Sequence, residues 1–317
     1  MYKNSNVLVT GASGLIGSYL VEKLTEIGAN ITAVSHKRKP MFRKSKNIDI
    51  ISGDLTNSNF CDKICQDKDY VFHLAVETGS ISKNSKHPAS IMTPTVLMDF
   101  NMLKSAHERG VKKYLYSSCA CVYPENIEKM SEENAWDGPP PKNHKTISWS
   151  KRISELQCQS FHEEFGDKIS IVRPSNTFGK YDDFDIENSH VISAFIKKAL
   201  LRTDPFVIWG NGKQIREFLH AEDVARGMIL SLEKNHNAVP INLAGGKEIE
   251  IIELARKIIS MVGYNPKIEF DLSKPTGHSK RVLECKNAKE ILGFEPQVKF
   301  DLGLKDSIDW CKKLLTN

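Results

Sequence analysis

The sequence predicts an α/β protein built on a doubly wound parallel sheet, with a smaller mixed α/β lobe at its C-terminal end. Three observations predict it. Short apolar runs alternate with helical patterns through the first 120 residues, the runs are apolar throughout, and a glycine-rich turn follows the first of them. Continuous apolarity suits strands covered by helices on both faces, and the alternation gives βαβ units.

Strands are predicted at residues 7–10, 31–35, 48–51, 70–74 and 114–117, with helices at 15–27, 59–65 and 96–108, the last closed by Gly110. The stretch 124–145, which holds Pro139-Pro140-Pro141, reads as a loop, because consecutive prolines supply no backbone donors. A helix at 150–164 and a strand at 169–172, ending at Pro174, come next. Beyond them, strands at 205–209, 215–219 and 241–243 mix with helices near 222–233, 250–262 and 302–315. The expected division is a dinucleotide-binding domain over 1–172 and a mainly substrate-binding lobe over 173–317, the chain crossing back between them around 205–245.

The 317 residues are 40% hydrophobic and 26% charged, which excludes disordered and collagen-like classes. No apolar stretch approaches the ~18 residues of a membrane span. The net charge of +5 is too mild and dispersed for a nucleic-acid footprint. The N-terminus runs straight into the first strand, leaving no room for a signal peptide. Seven thinly spread cysteines read as thiols of a reducing compartment rather than a disulfide framework, so a cytoplasmic protein is expected. Cys61 and Cys65 complete no metal set and read as packing, as does Trp209, and His73 reads as a structural histidine in an apolar strand.

Gly11-Ala12-Ser13-Gly14-Leu15-Ile16-Gly17 lies between the first strand and the first helix. Its glycines allow a tight turn and close approach to a pyrophosphate, and the helix N-terminus offers N–H donors there. The second strand ends in Ser35 and continues His36-Lys37-Arg38, with no acidic residue for ribose hydroxyls. That favours a 2′-phosphate, hence NADP(H) over NAD(H), with Ser35 and Arg38 as contacts. Asp54 reads either as a partner of the adenine amine or as a cap for the helix starting near Thr56; Leu55 and Ala75 complete the expected cofactor set.

With the glycine turn, Gly53-Asp54-Leu55 and Phe72-His73-Leu74-Ala75, the chain resembles the extended short-chain dehydrogenase/reductases acting on nucleotide sugars. Within them it is most similar to the GDP-L-fucose synthases, with the GDP-mannose 3,5-epimerases as neighbours. The matching segments are Cys121-Val122-Tyr123-Pro124, Pro174-Ser175-Asn176-Thr177-Phe178-Gly179, Asp183-Phe184 and Asn188-Ser189-His190-Val191-Ile192, then Trp209-Gly210-Asn211-Gly212, Arg216-Glu217-Phe218 and Ser273-Lys274-Pro275-Thr276-Gly277.

The resemblance implies a Ser and a Tyr-x-x-x-Lys for hydride transfer. Lys151 stands at the Lys position, where it would serve both catalysis and the cofactor, but Ile147 occupies the Tyr position and Cys119 the Ser position. The resemblance also implies an acid–base pair that inverts carbons beside a 4-ketone, and Cys121 and His190 fall on it. Asn176, Arg216 and Arg281 match positions that grip the sugar diphosphate. The leading expectation is an epimerase of a 4-keto sugar, GDP-linked, working as a homodimer through helices around 95–109 and 149–165. A bifunctional epimerase/reductase using Cys119, a serine or water in place of Tyr is the second reading. A non-catalytic dinucleotide sensor is the third.

Overall fold

The computed structural model describes residues 1–77, 86–125, 127, 130–186, 189–274 and 279–316, the side chain of Asn143 excepted. Asn188 and the Pro275-Thr276-Gly277 segment of the resemblance lie outside them. Seven strands form one sheet: β1 (Asn6–Thr10), β2 (Asn30–Ser35), β3 (Ile48–Ser52), β4 (Tyr70–His73), β5 (Lys113–Ser117), β6 (Ile169–Pro174) and β10 (Asn237–Leu243). Their order is β10-β6-β5-β4-β1-β2-β3 and every pairing is parallel, the doubly wound arrangement the sequence predicts.

The strands read as apolar throughout because both faces are covered. Val7 and Val9 face α1 (Leu15–Ile27) and α6 (Ala221–Lys234), whereas Leu8 between them joins the core under α2 (Ser58–Cys65), α3 (Pro88–Glu108) and α4 (Lys145–Phe165). Side chains two apart share a face, so Phe72 and Leu115 go to the first core, and Val71, Tyr114 and Tyr116 to the second. Cys61 and Cys65 lie in that second core, as packing.

The remaining elements build a smaller lobe. β7 (Asn176–Phe178), β9 (Ile215–His220), β11 (Lys247–Glu250) and β13 (Lys280–Arg281) form a second sheet centred on β9, and β8 (Phe206–Trp209) pairs β12 (Ile268–Asp271). α5 (Val191–Leu200), α7 (Ile251–Val262) and α8 (Phe300–Thr316) enclose a separate core with Phe178, Phe206 and Phe218. Trp209 does not join it: the residue is 39% exposed, with the Lys274 ammonium 5.7 Å from its ring centroid.

Two helices are longer than predicted. α3 starts at Pro88 rather than Val96, since proline at the first helical position gives up only a donor that has no partner there. Pro94 is accommodated within that first stretch. α4 starts at Lys145, so Ile147 lies within it.

Candidate active site

The order of strands reverses between β1 and β4, and the loops after their C-terminal ends form the crevice where such sheets bind ligands. Gly11 sits there with φ +65°, and a Cβ on it would stand 2.9 Å from the Ala75 nitrogen. On Gly17 a Cβ would stand 2.2 Å from the Gly11 carbonyl oxygen, so α1 runs hard against the turn only because the residue is glycine. The N-cap is Gly14, with no side chain to occupy the first-turn N–H groups that continue through Leu15 and Ile16. Ser13 is buried in the same turn. A pyrophosphate fits this cradle on geometry and on helix dipole.

At the end of β2, Ser35 is buried and its carbonyl accepts the Gly53 N–H at 3.1 Å. His36 and Lys37 follow, both exposed. Arg38, expected as a contact of the 2′-phosphate, donates from Nη2 to the carbonyls of Tyr181 and Asp182 at 2.8 and 2.9 Å, which ties β2 to the loop before α5. Asp54 accepts the N–H and hydroxyl of Thr56 at 2.9 and 2.8 Å, and these bonds, with His36 and Lys37, hold its carboxyl below the ordinary value. The cap of α2 is Asn57, which accepts the Phe60 N–H. The Leu55 side chain belongs to the core. Ala75 donates its N–H to Thr10 Oγ1 at 3.3 Å.

Beneath the crevice lies a buried polar chain. Thr10 Oγ1 accepts the N–H groups of Leu74 and Ala75, so its hydroxyl proton is directed to His73 Nδ1 at 2.7 Å. His73 Nε2 then meets Asp99 Oδ1 at 2.9 Å, which makes His73 the satisfied structural histidine expected of it. The other Asp99 oxygen accepts Tyr116 Oη and Ser154 Oγ at 2.6 and 2.7 Å. Lys151 joins this chain, 4% exposed, with Nζ 3.9 Å from Asp99 and 3.0 Å from the Ser117 carbonyl. Burial pulls the Lys151 pKa down, against the opposing field of Asp99.

The turn above carries the two cysteines. Ala120–Val122 forms a single 3₁₀ turn, and Cys119 and Cys121 on either side of Ala120 are joined by a disulfide. This corrects two expectations. The cysteines are not all thiols, and in this oxidised form neither Cys119 nor Cys121 has a proton to exchange. Spacing explains the pairing: the turn brings the two Cα atoms to 5.3 Å, inside the range a disulfide spans. Cys121 packs with Ile91 and Ile147, and Val76 and half-buried Cys119 adjoin them. Ile147 therefore meets sulfur and hydrocarbon, and offers no hydroxyl to Lys151.

Buried bonds anchor this turn. Lys151 holds the Ser117 carbonyl, Ser118 Oγ donates to Glu155, and the Ser118 N–H reaches the Val172 carbonyl at 2.9 Å. Arg152 Nε donates to the Val122 carbonyl at 2.9 Å, its guanidinium flanked by the Trp136 and Trp149 rings at 5.2 and 5.1 Å. Glu155 is in turn gripped by both arms of Arg173 at 2.9 and 2.6 Å, and Arg173 also donates to Tyr123 Oη.

The smaller lobe supplies charge. His190 stands at the N-cap of α5, its Nδ1 3.6 Å from Asp182 Oδ1. Its side-chain surface stays 74% open to water, within a crevice flanked by protein. Asp182 holds the imidazole above its ordinary pKa, and Arg281 opposes it. Burial disfavours the Asp182 charge, yet His190, Ser193 and the Asp183 N–H outweigh it and keep the carboxyl low. Arg281 pairs in register with Arg216 on β9, and burial together with that neighbour pushes its pKa down to about 10. Asn176 donates from Nδ2 to the Glu217 carbonyl at 2.8 Å.

The strand segment after β13 links the two halves. Leu283 packs in the cluster that holds Ala120 and Val122, while the charge of Arg281, two residues earlier, is felt at His190. Two extended residues span about 7 Å, so the cysteine turn and the charged wall adjoin the same segment.

Residues 7–244 match the NAD dependent epimerase/dehydratase family. The chain belongs to that family. It is an enzyme. GDP-L-fucose synthase 1 of Arabidopsis thaliana is 29% identical, over 99% of this chain and 95% of that protein. GDP-mannose 3,5-epimerase of the same plant is 27% identical, over 98% and 83%. Among solved structures, UDP-glucose 4-epimerase of Thermotoga maritima superposes with a TM-score of 0.88 at 26% identity, covering 98% of this chain and 99% of that one. A GDP-L-fucose synthetase of Naegleria fowleri bound to NADP gives 0.84 at 26%, covering 100% and 95%.

The structure thus gathers Cys119, Cys121 and Ile147 over Lys151, and His190 with Arg281 and Arg216 on a second wall. Sequence reasoning missed Asp182, the anchor pair Glu155 and Arg173, and the bond between the cysteines. The Cys-Ala-Cys spacing carried the last of these signals, and the acidic run Asp182-Asp183 before His190 carried the first.

Proposed function

We propose that the enzyme, in its reduced form, epimerises carbons flanking the ketone of a GDP-linked 4-keto sugar, with Cys121 and His190 as the acid–base pair. The observation that carries this reading is the His190–Asp182 pair standing open beside Arg281 while Ile147 fills the place of a redox tyrosine. A ketone acidifies its α-hydrogens; the Cys121 thiolate takes one, and the imidazolium of His190, kept charged by Asp182, returns a proton to the opposite face of the enolate. Arg216 and Arg281 hold the diphosphate, where two adjacent guanidinium groups favour an anion, and Asn176 contacts the sugar.

The Gly11–Gly17 cradle holds the pyrophosphate of the dinucleotide, and His36, Lys37 and Ser35 favour NADP(H) over NAD(H), supported by the absence of an acidic side chain at the end of β2. When bound, that cofactor supplies hydride chemistry, for which this chain has kept Lys151 and not the tyrosine. The exposed Leu97 and Phe100 on α3 and Leu156 on α4 support a homodimer through these helices, measurable by sedimentation velocity; Leu103 instead packs in the parent core.

The test is mass spectrometry of a GDP-4-keto-6-deoxy sugar incubated with dithiol-reduced protein in D₂O. Deuterium entering the sugar without NADPH is the expected result. Its absence with every 4-keto sugar tried would overturn the reading. The bifunctional alternative predicts a reduced product formed only with NADPH.

A further inference from the structure

Both departures of this site from the pattern it resembles, Cys119 and Ile147, lie at one spot, against Cys121. The bond between the two cysteines closes a loop with a single residue inside it. Disulfides stabilise a fold in proportion to the chain entropy they remove, which is smallest for so short a loop, so this one contributes little to holding the protein together. Nor is it needed to shape the turn, which is anchored at Ser117, Ser118 and Val122 by Lys151, Glu155 and Arg152. The turn that these bonds fix sets the two Cα atoms 5.3 Å apart.

The other cysteines differ. Cys61, Cys65, Cys158 and Cys311 are buried, and burial pushes their thiols up, to about 12 for Cys61 and Cys65 and about 11 for Cys311. Half-buried Cys285 is raised as well. Protonated, enclosed thiols exchange slowly. Cys119, by contrast, is half-buried at the crevice while Cys121 is 7% exposed, so a small thiolate reaches Cys119 first.

We infer that Cys119 and Cys121 form a reversible thiol–disulfide site that closes the enzyme when oxidised and opens it when reduced by a dithiol. The inference rests on Cys121 being the acid–base thiol. In the opening step a dithiol's thiolate attacks Cys119 Sγ; the Cys119–Cys121 bond breaks, and Cys121 leaves as a thiolate. The dithiol's second sulfur then attacks the first within the mixed disulfide and releases Cys119. The protein gains two electrons, and the dithiol becomes a cyclic disulfide. Closing is the reverse, with the cyclic disulfide as oxidant. Ile147 suits this couple because it presents hydrocarbon to the sulfurs where a tyrosine would present a hydroxyl.

The experiment equilibrates the full-length protein in mixtures of reduced and oxidised dithiothreitol. One portion is alkylated and the peptide carrying both cysteines weighed; the other is assayed for deuterium entry into the 4-keto sugar. The two cysteines should pass together from bonded to doubly alkylated. Deuterium entry should follow the same mixtures, falling roughly 10²-fold or more in the bonded form, as for loss of a general acid or base. Re-reduction should restore it, and Cys119→Ser should lose the dependence on the mixture. Free thiols at both positions in fully oxidised dithiothreitol would overturn the inference. So would equal deuterium entry in the bonded and free forms, or a dependence that persists in Cys119→Ser. If no deuterium enters in any mixture, the proposed function and the gate fail together, while the couple itself is decided by alkylation alone.

Discussion

The cysteine turn and the His190 wall are built on opposite principles. The turn is apolar, enclosed and rigid, its sulfurs set among Ile91, Ile147 and Val76 and its backbone gripped from below by Lys151, Arg152 and the Glu155–Arg173 pair. The wall is charged and open, with His190 3.6 Å from one buried carboxylate and within the field of Arg281. A thiol set in hydrocarbon depends on the geometry of the turn that places it. An imidazole at a water-filled edge depends on its ion partner. Removing an atom should matter most on the first side, and changing a charge most on the second.

Cys121→Ser tests this most severely. Deuterium entry into the 4-keto sugar should fall by roughly 10²–10⁴-fold, since a hydroxyl is too weak a base to replace the thiolate. Retained activity would remove the turn from the chemistry. Ile147→Tyr should have the next largest effect, in the opposite direction: a phenol near Lys151 supplies the missing proton donor, and NADPH oxidation with the 4-keto sugar should rise by about 10²-fold. No rise would mean that Lys151, drawn down to Asp99, no longer serves a phenol.

On the charged side, Arg281→Ala should raise KM ten- to a hundredfold with kcat little changed, because a hydrogen bond to a charged group contributes about 1.5–3 kcal/mol. A fall in kcat alone would place Arg281 in the chemical step instead. The smallest effect is expected from Asp182→Asn. Asp182 raises the His190 pKa, so the imidazolium persists to higher pH than in free histidine. Losing the carboxylate should move the alkaline limb of the pH–rate profile to lower pH, with a several-fold loss above neutrality. The same sign governs stability: the pair's contribution is complete below the ordinary imidazole pKa and is lost as pH rises through the raised one. An unmoved limb would detach His190 from the observed proton.

Much of this was legible in the sequence where local chemistry dictates structure. The apolar strands and the Gly11–Gly17 turn admit few other readings, because a Cβ at either glycine would collide with backbone. The second sheet was harder. Lys247–Glu250 and Lys280–Arg281 are short and polar, and they become strands only because β9 lies beside them, a long-range pairing that propensity does not carry. α5 is not among the predicted helices, although Ile192, Phe195, Ile196 and Ala199 carry a helical period. Arg38 looks in the sequence like a phosphate ligand beside a nucleotide site, and only the fold shows that its Nη2 also reaches the Tyr181 and Asp182 carbonyls.

β10 closes the edge of the main sheet with residues 237–243, next to β6, whose own residues end at Pro174. The ribosome therefore releases six strands of that sheet, and then the β7–β9 region, before the seventh exists. Until α6 and β10 emerge, Ile171 and Val172 pair β5 on one side only and α1 lacks the helix that covers its apolar side. The nascent chain must carry an open strand edge for some sixty residues of synthesis, a period of several seconds at ~5–20 residues per second, when capture by a chaperone or by a second nascent chain competes with completion.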